Sequence, residues 1–314
     1  MPNALAVSER TLGGHTQLVS GVAFSPDGRN LASVSQDRTL KVWALSGGAP
    51  ERTLFCGRQL SGVAFSPDGR TVACTAVTGE LFLWCASDWR LLAGQVVDVD
   101  EIGGITPVAF SPDGRTLLCG GSGSIRAFDA LGRERFALGG DDLLGGTVGS
   151  LAFSPSGATA VSAVVETGAI VVWEARSWQP KRTLFSRPTE YQGRTFGSKI
   201  WSVAYAPGGT VIASAGDDRV VTLWDAETGR PLRTCVGHEY TLFSGTVSPD
   251  AEWIASASSD QTVRVWDYET CAELATMPAD PDGDGHGAYQ VAFSPTGPLL
   301  AAACSDTRIR LWAW

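Results

Sequence analysis

The sequence is short of the groups that most catalysis and most anchoring require. It has 3 histidines and 2 methionines in 314 residues, and 33 acidic residues outnumber 24 basic ones, for a formal net charge of −9. Three imidazoles leave little scope for acid–base chemistry. The acidic balance argues against the basic stripe with which proteins grip DNA or RNA, and leans toward basic partners. No run approaches 18 apolar residues, and residues 1–10 carry no basic-then-apolar leader. A soluble cytoplasmic protein is therefore expected, with neither membrane nor nucleic acid as a partner. The 7 cysteines are odd in number, and none forms a Cys-x-x-Cys pair. Cys74, Cys119 and Cys304 lie in apolar runs beside small residues. A thiol there acts as a small hydrophobe rather than a disulfide or zinc ligand. There is no Gly-x-Ser-x-Gly elbow, and Gly120-Gly121-Ser122-Gly123-Ser124 lacks the Lys-Ser/Thr ending of a phosphate loop. No cofactor is expected.

What is present is a repeat. Aromatic-Ser-Pro-Asp-Gly turns, or variants of them, begin at Phe24, Phe65, Phe110, Phe153, Tyr205, Val247 and Phe293. About nineteen residues after each comes an aromatic partner: Trp43, Trp84, Phe128, Trp173, Trp224, Trp266 or Trp312. The partners recur at intervals of 41 to 51 residues, from one end of the chain to the other. Length alone would suggest two domains, but a register running through the whole chain without a linker predicts one, over residues 8–314.

One unit shows how each repeat should fold. Val19 to Phe24 is a short apolar run. Ser25-Pro26-Asp27-Gly28 places Ser, Pro and Gly where a type I turn prefers them. Asn30 to Ser35 reads as a second strand, Gln36-Asp37-Arg38 as a turn, Thr39 to Ala44 as a third strand and Arg52 to Phe55 as a fourth. Third strands such as Ile170 to Trp173 and Val220 to Trp224 are nearly continuously apolar, as strands buried on both faces are. Stacking each sheet between two others supplies that burial, and a closed ring leaves only short edges exposed. Closure is legible as well. Glu9-Arg10-Thr11-Leu12 matches the fourth-strand segment Glu51-Arg52-Thr53-Leu54, while the chain ends just past the third strand of repeat seven. Residues near 8–12 should complete the last sheet.

The whole chain resembles the WD40 repeat family. The resemblance implies an all-β, seven-bladed β-propeller of four-stranded antiparallel blades, closed by the N-terminal strand. It also implies that each blade is tied by a hydrogen-bonded set of His, Ser or Thr, Asp and Trp. By position, repeat one carries His15, Ser33, Asp37 and Trp43, and repeat six His238, Ser256, Asp260 and Trp266. Repeat five keeps Ser214, Asp218 and Trp224 but has no His in place; repeat seven keeps Asp306 and Trp312, with Ala302 at the Ser position and His286 displaced by two residues. Repeats two, three and four carry Thr78, Ser122 and Thr167 instead of the Asp. The resemblance assigns the His–Asp pairs to the scaffold rather than to catalysis, and it implies protein-interaction scaffolding.

Function should then lie in the connections. The distance from each Trp position to the next aromatic turn varies between 22 and 32 residues, while the Ser-Pro-Asp-Gly side barely varies. The variable connections share one rim, and variable loops on a rigid frame carry function. The longest connection, residues 186–199, contains Arg187, Glu190, Tyr191, Arg194, Phe196 and Lys199. Tyr, Phe and Arg dominate interface energetics, so this segment is a candidate partner-binding site; self-packing of its aromatics is the alternative. Asp280-Pro281-Asp282-Gly283-Asp284-Gly285 matches the first half of a calcium loop, with Asp280, Asp282 and Asp284 as candidate ligands. The twelfth position is Val291 rather than a bidentate Glu, which favours a solvated acidic turn. Asp98 to Glu101, Asp141-Asp142, Glu166 and Asp217 make the same rim acidic. The expectation is a monomeric, non-enzymatic scaffold binding protein or peptide partners, with basic ones favoured by the acidic rim. The alternative is a propeller enzyme, or a metal- or small-ligand-binding propeller, using carboxylates near the central channel. The small first-strand residues Ser20-Gly21-Val22, Ser61-Gly62-Val63 and Ser202-Val203 speak against it.

Overall fold

The Ser-Pro-Asp-Gly turns set the register of the sheets. In the first, the Gly28 N–H donates to the Ser25 carbonyl at 2.8 Å, and the Ser25 hydroxyl donates to Asp27 at 2.6 Å while accepting the Asn30 N–H at 2.9 Å. Gly28 takes φ 68°, which glycine adopts without the clash a Cβ would bring. Ala251, at φ 58°, fills the equivalent position in the sixth turn.

A computed structural model of the chain describes residues 7–96, 106–139, 145–185, 189–191, 194–196, 198–280, 285 and 287–314. Among them there is no helix, and the strands form seven four-stranded antiparallel sheets and one two-stranded hairpin. Blade one is Val19–Phe24, Asn30–Ser35, Thr39–Ala44 and Pro50–Phe55, paired in that order. Its fourth strand starts at Pro50, two residues before the expected Arg52, because Pro50 pairs opposite Trp43 across a bulge between Val42 and Trp43. Pro180 and Pro231 stand opposite Trp173 and Trp224 in the same way. These strands form the outer edge of each blade, where a missing N–H deprives no neighbour.

The last blade pairs Ser8–Gly13 with Arg308–Ala313, from Ser8 opposite Ala313 to Gly13 opposite Arg308. The N-terminal strand therefore closes the ring, as the sequence match to Glu51 to Leu54 predicts.

The core is a ring of seven apolar layers, one at each seam between neighbouring blades. At the closing seam, Leu12 and Ile309 of blade seven meet Val19, Leu31 and Trp43 of blade one. Each third strand is covered on both faces, which accounts for its lack of alternation. Around the axis, first strands are stitched to the next blade by side chains. Ser20 donates to the Leu60 carbonyl at 2.7 Å, Ser61 accepts the Thr106 N–H at 2.9 Å, and Gln290 accepts the Val22 N–H at 2.8 Å. These bonds satisfy polar groups at the channel wall and hold the scaffold that carries the rim.

Candidate functional site

Two rims follow from the strand order. One carries the Ser-Pro-Asp-Gly turns. The other carries the blade-to-blade connections and the turns between second and third strands, and the blade networks reach the surface there. His15 Nδ1 lies 2.8 Å from Asp37 and Nε2 lies 2.8 Å from the Ser33 hydroxyl, which also accepts the Trp43 indole N–H at 2.8 Å. A carboxylate can only accept, so His15 donates from Nδ1 and accepts from Ser33 at Nε2. Blade six repeats the set: His238 to Asp260 at 2.6 Å, to Ser256 at 2.7 Å, and Trp266 to Ser256 at 2.8 Å. Burial, the largest influence on Asp37, pushes its carboxyl up, but hydrogen bonds from Thr39 and His15 outweigh it and leave the group below its ordinary range. The same balance holds Asp260 well below that range. Both carboxylates stay ionised as structural acceptors.

The other blades keep parts of the set. Trp224 donates to Ser214 at 2.8 Å, and Trp173 to Ser162 at 3.0 Å. Asp306 pairs with Arg310 at 2.6 Å, and Arg310 also reaches Glu9 of the closing strand at 3.6 Å, so an ion-paired arginine occupies the heart of blade seven. Trp312 is fully buried in the layer between blades six and seven. Asp218 differs from its counterparts. Phe196 stands where blades one and six have His15 and His238, and Val220 where they have Thr39 and Thr262. Oδ1 of Asp218 is buried with no hydrogen-bond partner among the described residues. Burial, reinforced by neighbouring Asp217, pushes its carboxyl up to about 6.

The long connection of blade five contains a small hairpin, Thr189–Tyr191 paired with Arg194–Phe196, with Tyr191 opposite Arg194 and Thr189 opposite Phe196. Arg187 and the side chains of Glu190, Tyr191, Arg194 and Phe196 lie outside the described residues, as do Asp98 to Glu101, Asp141, Asp142, Asp282, Asp284 and His286. Lys199 is exposed, and its ammonium lies 5.8 Å from the centre of the Trp201 ring. Asp280 is buried and accepts from the Ser305 hydroxyl at 3.4 Å. Among the described residues no three metal-ligating side chains come together.

The ring also assembles a feature that reading along the chain missed. Four residues before each aromatic turn, blades one to four carry Ser20, Ser61, Thr106 and Gly149, and blades five to seven carry Trp201, Phe243 and Tyr289. These positions are the loop-rim ends of the first strands, beside the central axis. Phe243 and Tyr289 stack with centres 5.0 Å apart and planes 12° apart, and Trp201 meets Phe243 edge-on at 6.3 Å. The Trp201 N–H donates to Asp217 at 2.8 Å, which fixes the ring. The three aromatics are half-buried and form one wall of an axial cavity of about 160 Å³; small residues form the other wall. Among the described residues no carboxylate, ammonium or imidazole lines that cavity. A column-by-column comparison of the seven repeats would have exposed the crescent.

The family model described as WD domain, G-beta repeat matches residues 6–44, 103–129, 188–225, 229–267 and 281–313. A 45-residue stretch is 56% identical to an uncharacterized WD repeat-containing protein of Synechocystis sp., covering 14% of this chain and 13% of that protein. A 35-residue stretch is 54% identical to Lissencephaly-1 homolog 1 of Paramecium tetraurelia, covering 11% of this chain and 9% of that protein. The matches thus span 13% and 9% of the two relatives' own lengths.

Proposed function

The chain belongs to the WD40 repeat family, and from that premise we propose that it is a non-catalytic scaffold holding partner proteins or peptides on its loop-rich rim. Propellers of this family generally serve protein interaction. The observation that carries the reading is the contrast between the rims. One repeats a single turn, while the other concentrates the differences in connection length and the half-buried aromatics of blades five to seven. A rigid ring with one variable face is built to present a surface. Residues 8–314 act as one domain and as a monomer in this reading. The segment with Arg187, Glu190, Tyr191, Arg194, Phe196 and Lys199 contributes contacts, and Glu166 and Asp217 on the same rim favour a basic partner. Among the described residues the axial cavity is lined by neutral side chains, whereas the alternative, an enzyme using the channel, needs an acid or base there.

The test is affinity capture from a lysate of the source organism. It compares the wild type with a triple variant carrying Tyr191→Ala, Arg194→Ala and Phe196→Ala, with thermal melts establishing that both are folded. Proteins retained by the wild type and lost from the variant are the expected result. No specific retention by either protein would overturn the reading.

A further inference from the structure

The axial cavity and its aromatic crescent carry an inference about what the rim receives, and it rests on the interaction reading above. We propose that the mouth formed by Trp201, Phe243 and Tyr289 is an anchor pocket for a single neutral aromatic side chain of a partner peptide.

Four features lead there. The first is size. A cavity of about 160 Å³ is well below the roughly 300 Å³ at which pockets for whole small molecules begin, so it accepts a side chain rather than a substrate or cofactor. The second is asymmetry. In a ring built from seven similar first strands, four positions are Ser, Thr or Gly and three consecutive ones are aromatic. Space is therefore left opposite the crescent, and one more ring fills it.

The third feature is charge. Among the described residues no lining side chain bears a carboxylate to receive a cation, and the Lys199 ammonium already stands 5.8 Å from the Trp201 ring, where it repels a second positive group. An anionic side chain is disfavoured by the negative faces of the rings. A cation would in addition lose its hydration without a partner among the described lining residues. The fourth feature is pre-organisation. Trp201 is pinned by Asp217, and Phe243 is held between Trp201 and the stacked Tyr289. Rings fixed before binding lose little freedom on receiving another ring, and they offer it edge-to-face and offset-stacked contacts that an aliphatic side chain cannot use.

The test selects a random heptapeptide display library on the full chain and measures the enriched sequences as synthetic peptides. The targets are the wild type, Phe243→Ala and Tyr289→Ala, each checked by thermal melting. Enriched peptides share one fixed Trp, Tyr or Phe, and their affinity falls at least tenfold in either variant or when that residue becomes Leu. If an Ala variant melts early, Phe243→Leu, which keeps apolar volume but removes the ring face, carries the same comparison. Selection of Arg or Lys at the fixed position overturns the proposal, as does undiminished binding to the variants, equal affinity for the Leu peptide, or no enrichment. Capture of the same lysate proteins by wild type and Phe243→Ala would remove this pocket while leaving the scaffold reading standing. Capture of nothing by either would remove both.

Discussion

Single residues in this ring carry unequal burdens, and the blade networks show why. Ser256 serves two buried partners, since it donates to His238 and accepts from Trp266. Among the described residues, Ser162 of blade four serves only Trp173. Leaving a buried polar group unpaired costs about 1–3 kcal/mol. Ser256→Ala should therefore lower stability by roughly 2–4 kcal/mol, and Ser162→Ala by about half as much. Denaturant titration of the two variants measures the difference, and equal losses would contradict it. Asp218 is the opposite case, an acid in a network position without the network. Its folded-state carboxyl titrates at about 6, against an ordinary value of 3.8. Between those values the folded chain keeps a proton that the unfolded chain has released, so the group's contribution to stability falls as pH rises from about 4 to 6 and stays low above that. Asp218→Asn should match the wild type near pH 4 and exceed it above pH 6.5 by about 2–3 kcal/mol. Melting temperatures measured across that range test the sign, and an offset independent of pH would refute the assignment.

Strands and turns are where the sequence spoke most clearly. Ser, Pro, Asp and Gly each have a separate physical reason to occupy their turn positions, and the chain repeats the full turn three times and a variant of it four times, all in register. Strand boundaries followed to within two residues. The start of the fourth strand was misread because Pro50 looks like a loop residue, and only the outer-edge location makes it acceptable in a strand. The N-terminal strand makes the strongest prediction at this scale. Deleting residues 1–13 removes six paired positions along Arg308–Ala313, uncovers the buried Leu12 layer and takes Glu9 from the buried Arg310. The truncated chain should melt at least 10 °C lower or fail to fold, because the loss exceeds that of any single core side chain. A melting temperature within 2 °C of the wild type would show that the ring does not depend on this closure.

At the scale of the whole molecule, legibility ends where the ring begins to matter. Trp201, Phe243 and Tyr289 lie 42 and 46 residues apart in sequence. Each stands at the start of a strand and reads as ordinary core; only the closed circle sets the three side by side. The Asp218 Oδ1 that lacks a partner among the described residues was hidden for a related reason. Its own position fits the blade network, and what it lacks are partners supplied elsewhere in the blade, where Phe196 and Val220 replace histidine and threonine. The choice of rim, by contrast, rests on connection lengths alone. Its use as the docking face is the central claim, and hydrogen-exchange mass spectrometry of the chain bound to a captured partner tests it most directly. Protection should concentrate on the loop-rich rim, at residues 36–38, 198–201, 217–219 and 239–241, with the turns at 25–28, 66–69 and 111–114 unchanged. Protection of those turns, with the loop-rich rim unaltered, would contradict the account.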